Sequence, residues 1–290
     1  VPELPETETV ARDLDRELRG VRIEATEVRR PDVLRNERRS RAFERRVAMA
    51  TITRVWRRAK LIVLDLDTGD RLVVQPRFTG ALVFVDDAPS AGGGEGQHDA
   101  VGTMQDPYLC VLFGLSDGRI LAYRDVRRLG TMTLMRPDEW AAYEADLGPE
   151  PLDESFTPAA VSALLRDSRQ AVKAVLMDQR KLAGIGNIYA TEGLWRAGID
   201  PSREAGRVAR DAAAVSRLYA ALREVLAESI AARGTTFRDY RDAYGDIGGY
   251  ARALQAYGRA GQPCVRCGRR LVGTHAIDGR MTVFCPGCQA

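Results

Sequence analysis

The chain has 290 residues, 45% of them hydrophobic and 29% charged, with a net charge of only +3. That length favours two domains, and no run of about 18 apolar residues is present to span a membrane. The opening has no basic stretch followed by an apolar core, so a secretory signal is not expected and the cytoplasm is the expected compartment.

The chain opens Val1-Pro2-Glu3-Leu4-Pro5-Glu6. If the starting residue is removed, Pro2 presents a secondary amine, a backbone nitrogen free to act as a nucleophile and to form a Schiff base. The Glu3 carboxylate beside it is suited to general acid–base work. The same residues also suit an ordinary turn before a helix. From Glu6 to Leu18 the pattern predicts that helix, with Val10, Leu14 and Leu18 forming an apolar stripe and Glu6 and Glu8 at its positive end. Val1 is expected to mark an alternative start codon, read as methionine and cleaved. If it stayed attached, Pro2 would be an amide and inert.

Short β-type runs follow at 21–28, 47–56, 61–66, 71–74, 81–85, 109–115 and 120–124. Asp67-Thr68-Gly69-Asp70 and Ser116-Asp117-Gly118 are turn signals between them. Strands of this length and number predict a sandwich or barrel. Residues 86–107 are rich in glycine and read as a surface insertion, with His98 a solvated loop histidine rather than a ligand. Cys110 lies in an apolar run and reads as a small core residue. Residues 136–158, rich in proline and acids, read as a linker.

Helices are then expected over 158–165, 171–178, 186–197 and 208–233, with Gly234 as a C-cap. A Gly- and Tyr-rich loop occupies 234–255. The chain closes on Cys264-x2-Cys267 and Cys285-x2-Cys288, separated by 17 residues. With no secretory signal, this spacing predicts a four-cysteine site for one structural zinc. A module of about 30 residues needs that metal to fold.

Charge distribution adds to this. Residues 21–50 carry nine arginines against five acids, and residues 251–290 carry six against a single acid, Asp278. Such patches suit phosphate backbones, although a solvated Arg-rich surface would read the same way. Only three lysines occur, Lys60, Lys173 and Lys181. In so arginine-rich a chain, they point to places where a compact, flexible charge is wanted. The stretch Leu182-Ala183-Gly184-Ile185-Gly186-Asn187-Ile188-Tyr189 places a glycine turn before a helix start, a backbone geometry that binds phosphate.

Taken together, these motifs resemble the bacterial formamidopyrimidine-DNA glycosylase/endonuclease VIII family over nearly the whole chain. The opening Pro2-Glu3-Leu4-Pro5-Glu6 is similar to the family's start, and Lys60 stands where the family has its β-hairpin lysine. Leu147-Gly148-Pro149-Glu150-Pro151-Leu152 resembles its linker, and the segment from Lys173 through Asn187 to Pro201 its helix–two-turns–helix. Thr235-Thr236-Phe237-Arg238-Asp239-Tyr240 resembles the loop that covers an everted purine. Gly279-Arg280 before Cys285 matches the zinc finger's phosphate-contacting arginine.

The resemblance implies an α+β protein of two domains. These would be an N-terminal β-sandwich catalytic domain with a leading helix (1–135), a linker (136–158), a helix–two-turns–helix domain with a lesion-covering loop (159–255) and a zinc finger (256–290). It implies a base-excision-repair enzyme that removes oxidised purines from duplex DNA and then cleaves the abasic site by β,δ-elimination. Pro2 would attack C1′, Glu3 would transfer protons, and Lys60 would join them as a catalytic residue. Glu6, Phe78, Arg127, Leu129 and Lys173 would lie around the lesion and the wedge. For Glu6, a plain helix-start carboxylate is an equal alternative. Gln75, Arg128, Asn187 and Arg280 would contact DNA, and Cys264, Cys267, Cys285 and Cys288 would hold zinc. The expected partner is damaged double-stranded DNA, bound by a monomer associated with a bacterial nucleoid. The alternatives are an endonuclease VIII-like enzyme for oxidised pyrimidines, a non-catalytic lesion-binding paralogue and an unrelated zinc-ribbon protein.

Two departures bear on specificity. Where the family has His-Leu-Gly-Met before Ser/Thr-Gly, this chain has Gln75-Pro76-Arg77-Phe78-Thr79-Gly80. Where the family has Asn-Asp-Pro-Arg-Arg-Phe-Gly, it has Arg124-Asp125-Val126-Arg127-Arg128-Leu129-Gly130. Gln75 cannot carry charge, and the wedge aromatic has become leucine. Leucine is still among the apolar side chains that serve as wedges.

Overall fold

Helix α1 spans Leu4–Leu18, with Pro5 in its first turn, where the missing N–H costs nothing. Its stripe of Leu4, Val10, Leu14 and Leu18 is at most 4% exposed. The structure, a computed structural model, describes residues 2–36, 40–85 and 101–290. Val1, His98 and most of the 86–107 insertion therefore lie outside the described residues.

The first unit comprises Val1–Glu144 and Ala232–Gly249. Its strands are β1 (Ile23–Val28), β2 (Ile52–Arg58), β3 (Leu61–Leu66), β4 (Arg71–Gln75), β5 (Gly80–Val85), β6 (Leu109–Leu115), β7 (Ile120–Asp125) and β8 (Thr131–Met135). They form two antiparallel four-stranded sheets, ordered β1-β6-β7-β5 and β2-β3-β4-β8. One core joins the sheets: Ile23, Phe113, Leu82 and Tyr123 from the first meet Ile52, Leu64, Val74 and Leu134 from the second, with Leu14 and Leu18 of α1. The far face of the first sheet is also apolar (Val83, Leu109, Leu112, Ala122). This explains why β6 reads as an unbroken apolar run rather than an alternating one.

Three differences from the sequence reading arise here. The run expected as a strand from residue 47 begins instead at Ile52, because helix α2 (Ser40–Val47) uses Phe43 and Val47 as an i,i+4 apolar pair. Strand β8 was not marked out by its sequence, Thr-Met-Thr-Leu-Met, yet all five residues are buried. The 136–158 segment begins with a helix, α3 (Pro137–Ala145), anchored by the buried Trp140.

The second unit comprises Ala145–Ala231 and Tyr250–Ala290. It contains α4 (Pro158–Arg166), α5 (Val172–Met177), α6 (Asn187–Ala197), α7 (Ala205–Ala209) and α8 (Ala212–Ala231). A single helix was expected from 208 to 233. The chain breaks instead at Asp211, whose carboxylate accepts the Ala214 N–H at 2.9 Å and so starts α8 afresh. Helices α6 and α8 pack closely because position 193 is glycine: a Cβ there would come within 2.6 Å of Leu222 Cδ2. The terminal module is a hairpin of β9 (Val272–Thr274) and β10 (Thr282–Phe284). Its few apolar residues, Leu271 and Val283, gather with Cys264 and Cys285 against Trp195 of α6.

Candidate active site

In the first unit, three expected site residues meet at the N-terminal turn. Pro2 is buried, and Glu3 and Glu6 are 3% and 1% exposed. Glu6 spans two segments. One carboxylate oxygen accepts the Glu3 N–H at 2.8 Å, and the other accepts the Thr235 N–H at 2.7 Å. The Tyr240 hydroxyl donates to the Glu6 carbonyl at 3.3 Å. Burial first, then the Glu6 charge, pushes the Tyr240 phenol up, so it stays a neutral donor.

This contact requires Gly234. Its φ is +85°, and an added Cβ would lie 3.0 Å from Glu6 Cγ and 3.2 Å from Tyr240 Cε1. Arg233 fixes the same loop through Asp13 and Asp242, each at 2.5 Å. Pro2 borders a small cavity whose walls are mainly apolar, with Val10, Ile62, Pro76 and Leu82, but also include Glu6 and Arg241. Lys60 sits half-buried in the two-residue turn joining β2 to β3, where Arg58 pairs with Leu61. Arg57 braces that turn, bonding Glu8 at 2.6 Å and the Ala59 carbonyl at 3.1 Å.

A second group forms where Gly80 pairs with Asp125 and Gln75 pairs with Thr131. This register brings the 76–79 turn beside the 126–130 loop. Phe78 and Leu129 are 43% and 40% exposed. The Arg127 guanidinium lies over the Phe78 ring, 4.7 Å from its centroid. Arg77 donates to the Gln75 side chain at 3.3 Å, and Arg128 pairs with Asp32 at 3.4 Å. Arg77 and Arg128 both hold φ of +52°, a strained value for a residue with a side chain.

The second unit brings together Lys173, Asn187 and Arg280. Lys173 is wholly buried, its Nζ 3.0 Å from Asp278 Oδ2, and Asp278 Oδ1 accepts the Arg280 N–H at 3.0 Å. Asn187, at the start of α6, donates to the Met281 carbonyl at 3.0 Å. The turn before it is tied by Gln179, which donates to Met177 and Ile185 carbonyls and accepts the Gly184 N–H. The four cysteine sulfurs lie within 4.8 Å of one another. Tetrahedral Zn–S bonds of about 2.3 Å require sulfurs roughly 3.8 Å apart, so the cluster can hold a metal ion of this kind.

The family model for the formamidopyrimidine-DNA glycosylase N-terminal domain matches residues 1–132, and that for the formamidopyrimidine-DNA glycosylase H2TH domain matches 147–241. The chain belongs to the formamidopyrimidine-DNA glycosylase family. It is 42% identical to the formamidopyrimidine-DNA glycosylase of Xanthomonas campestris and 38% identical to that of Desulfitobacterium hafniense, with all of each chain covered. Among solved structures, it is similar to MutM (FPG) from Thermus thermophilus, with TM-score 0.82 and 34% identity over 99% of this chain and 98% of that one. It is also similar to Lactococcus lactis Fpg in complex with DNA containing an abasic site, with TM-score 0.84 and 29% identity over 99% of both chains. The fold expected from the sequence, a sandwich with a leading helix followed by a helical domain and a cysteine cluster, is the family's fold and is the one observed.

Four residues within these separate groups, one in the first unit and three in the second, had no role assigned from the sequence. Asp125 is buried beneath the two exposed loops, and Gln179 ties the glycine turn. Glu192 accepts the Gln255, Ala256 and Tyr257 N–H groups at the root of the cysteine module. Asp278 pairs with Lys173. Of these, only Asp278 carried a sequence signal, as the lone acid of a basic module.

Proposed function

We propose that this member of the family is a bifunctional DNA glycosylase and apurinic/apyrimidinic lyase that excises oxidised purines from duplex DNA. The observation carrying this reading is the N-terminal turn: Pro2 at a small, mainly apolar cavity, beside a buried Glu3, with Glu6 tying the turn to the 234–236 loop. A base inside the helical stack is out of reach, so the damaged nucleotide is everted. The Pro2 amine attacks C1′, the C1′–base bond breaks and the base leaves with the bonding pair. Glu3 protonates the sugar ring oxygen as the ring opens to the iminium. The iminium acidifies the C2′ protons, and removal of one expels the 3′ phosphate. A second elimination expels the 5′ phosphate.

A secondary amine at this position is a nucleophile in its neutral form. The segment around Gly234, Thr235 and Tyr240, which resembles the purine-covering loop, supports purine over pyrimidine lesions. Lys60, Asn187, Arg280, Gln75 and Arg128 would grip phosphates. Lys173, paired with Asp278, would hold the loop that carries Arg280. Cys264, Cys267, Cys285 and Cys288 would hold one zinc ion, which supplies folding energy and takes no part in the chemistry.

Borohydride trapping tests this directly, since only an imine is reduced to a stable adduct. The purified protein should give a covalent complex with an 8-oxoguanine duplex, and mass spectrometry should locate it on Pro2. A crosslink on Lys60, or active protein that retains Val1, would overturn the assignment.

A further inference from the structure

Asp125 is 1% exposed and accepts four donors: the Thr79 hydroxyl, the Gly130 N–H at 2.8 Å, the Arg127 N–H at 3.2 Å and the Tyr123 hydroxyl at 3.3 Å. Thr79 in turn accepts the Arg127 N–H at 3.0 Å. The Tyr123 hydroxyl fills the space that a Cβ would need at either Gly80 or Gly130. Two loops distant in sequence are therefore fastened to one buried carboxylate, and neither can shift without breaking bonds to it. Phe78 rides on the first loop and Arg127 on the second, their side chains stacked in the open above the tie.

The geometry points to Phe78 as a specificity-determining residue that acts through Arg127, with Thr79 and Asp125 as positioning residues that keep the pair in register. This rests on the glycosylase reading, and on the family resemblance in which Arg127 faces the base left unpaired when the lesion is everted. A guanidinium lying over a ring keeps its N–H groups free along its own edge, directed outward, and loses rotational freedom. Guanidinium donates and never accepts. A cytosine left without its partner offers adjacent acceptors, N3 and O2, which suit such an edge. An orphaned adenine sets the N6 amino donor beside its single acceptor N1 and suits it less well. The more firmly the ring fixes the guanidinium, the sharper that distinction becomes. A methionine at position 78 could fill the same volume but has no ring face with which to hold the cation.

The experiment compares lesion opposite cytosine with lesion opposite adenine. Single-turnover base release and equilibrium binding of a stable abasic-analogue duplex are both measured as a C:A ratio. The native protein should prefer cytosine. Phe78→Leu and Phe78→Met should each lower the ratio by about fivefold, the size of one exposed cation–π contact. Phe78→Tyr, which keeps a ring face, should preserve it. Thr79→Val, which removes the hydroxyl tie with little change of shape, should also lower the ratio, and Thr79→Ser should restore it. A Phe78→Leu protein that loses activity equally opposite both bases, with an unchanged ratio in release and in binding, would overturn the proposal. Absence of any base release or trapped adduct in the native protein would instead defeat the glycosylase reading, and the binding ratio would still judge the role of Phe78.

Discussion

The N-terminal turn and the paired loops at 76–80 and 125–130 are built on opposite plans. At the turn, the groups proposed to do chemistry, Pro2 and Glu3, are themselves buried, as is Glu6, which ties the turn to the 234–236 loop. At the loops, the functional side chains are exposed, and the buried part is a support, Asp125 with Thr79. The physical demands differ accordingly. A nucleophile and its proton donor need low dielectric and a fixed distance, so their identities leave little freedom. A group that fills a void needs volume and reach, which several apolar side chains supply. The turn keeps the family's residues, whereas the loops carry Phe78 and Leu129 where the family has methionine and phenylalanine.

This contrast predicts that substitutions at the turn act on chemistry and substitutions at the loops act on recognition. The largest effect should come from Glu3→Gln. Removing the proton donor should cost base excision about 100- to 10,000-fold, the usual range for a general acid–base group. Affinity for a stable abasic-analogue duplex should persist, as measured by fluorescence anisotropy. A parallel loss of binding would mean that Glu3 is structural and that the two plans are not distinct.

Next comes the metal. Chelation or Cys267→Ala should unfold the 256–290 module and remove most DNA affinity, because a structural zinc supplies about 10 kcal/mol or more of apparent binding energy to so small a unit. Elemental analysis should find one zinc per chain. Full affinity in metal-free protein would contradict this. The module shares with the loops the principle of exposed contacts carried on a support, here the cysteine cluster, of which Cys264 and Cys285 are buried.

Gly234→Ala should follow. Its positive φ and the close approach of Glu6 and Tyr240 mean that a methyl group must displace the Glu6–Thr235 contact. The expected cost is about 1–3 kcal/mol, or roughly 10-fold in excision of a purine lesion. Gly69 is the control: its φ is +88° but nothing lies within 4 Å of an added Cβ. Gly69→Ala should carry only the turn's strain and leave excision intact. Equal effects at both glycines would show that backbone strain, and not the tie to Glu6, governs the loop.

Legibility in the sequence follows the same division. The four cysteines were readable as a cluster because ligand chemistry fixes residue type and spacing, and Pro2 and Glu3 could be singled out as candidates on the same kind of ground. The strand at 109–115 was readable because burial on both faces leaves an unbroken apolar run. The break before α8 was not: Asp211 sits in an alanine-rich stretch, and only its bond to Ala214 shows it to be a cap. Asp125 could not be recognised as a support, because its partners are brought to it by the pairing of Gly80 with Asp125 and of Gln75 with Thr131. The return of residues 232–249 to the first unit is held by contacts far apart in sequence, such as Arg233 with Asp13, 220 residues away, and Thr235 with Glu6.

The exposed wedge allows the two loops to be separated, and the smallest effect should fall at Leu129. Phe78 offers a large ring and supports Arg127, whereas Leu129 is smaller and has no ring. Eversion costs a few kcal/mol of unstacking, which an inserted apolar side chain offsets in part. Phe78→Ala should therefore slow excision from an intact lesion duplex markedly, and cleavage of a preformed abasic site, which flips more easily, should suffer less. Leu129→Ala should do the same more weakly, by roughly threefold or less, since the lost contact is one aliphatic side chain that is already partly in water. In a protein whose wedge were the residue at 129, the order would be reversed. If Leu129→Ala proved the more damaging, void filling would belong to the 125–130 loop as in the family pattern, leaving Phe78 only its contact with Arg127. If Phe78→Ala harmed both substrates equally, Phe78 would be a general binding residue, and the contrast between buried chemistry and exposed recognition would hold for Arg127 alone.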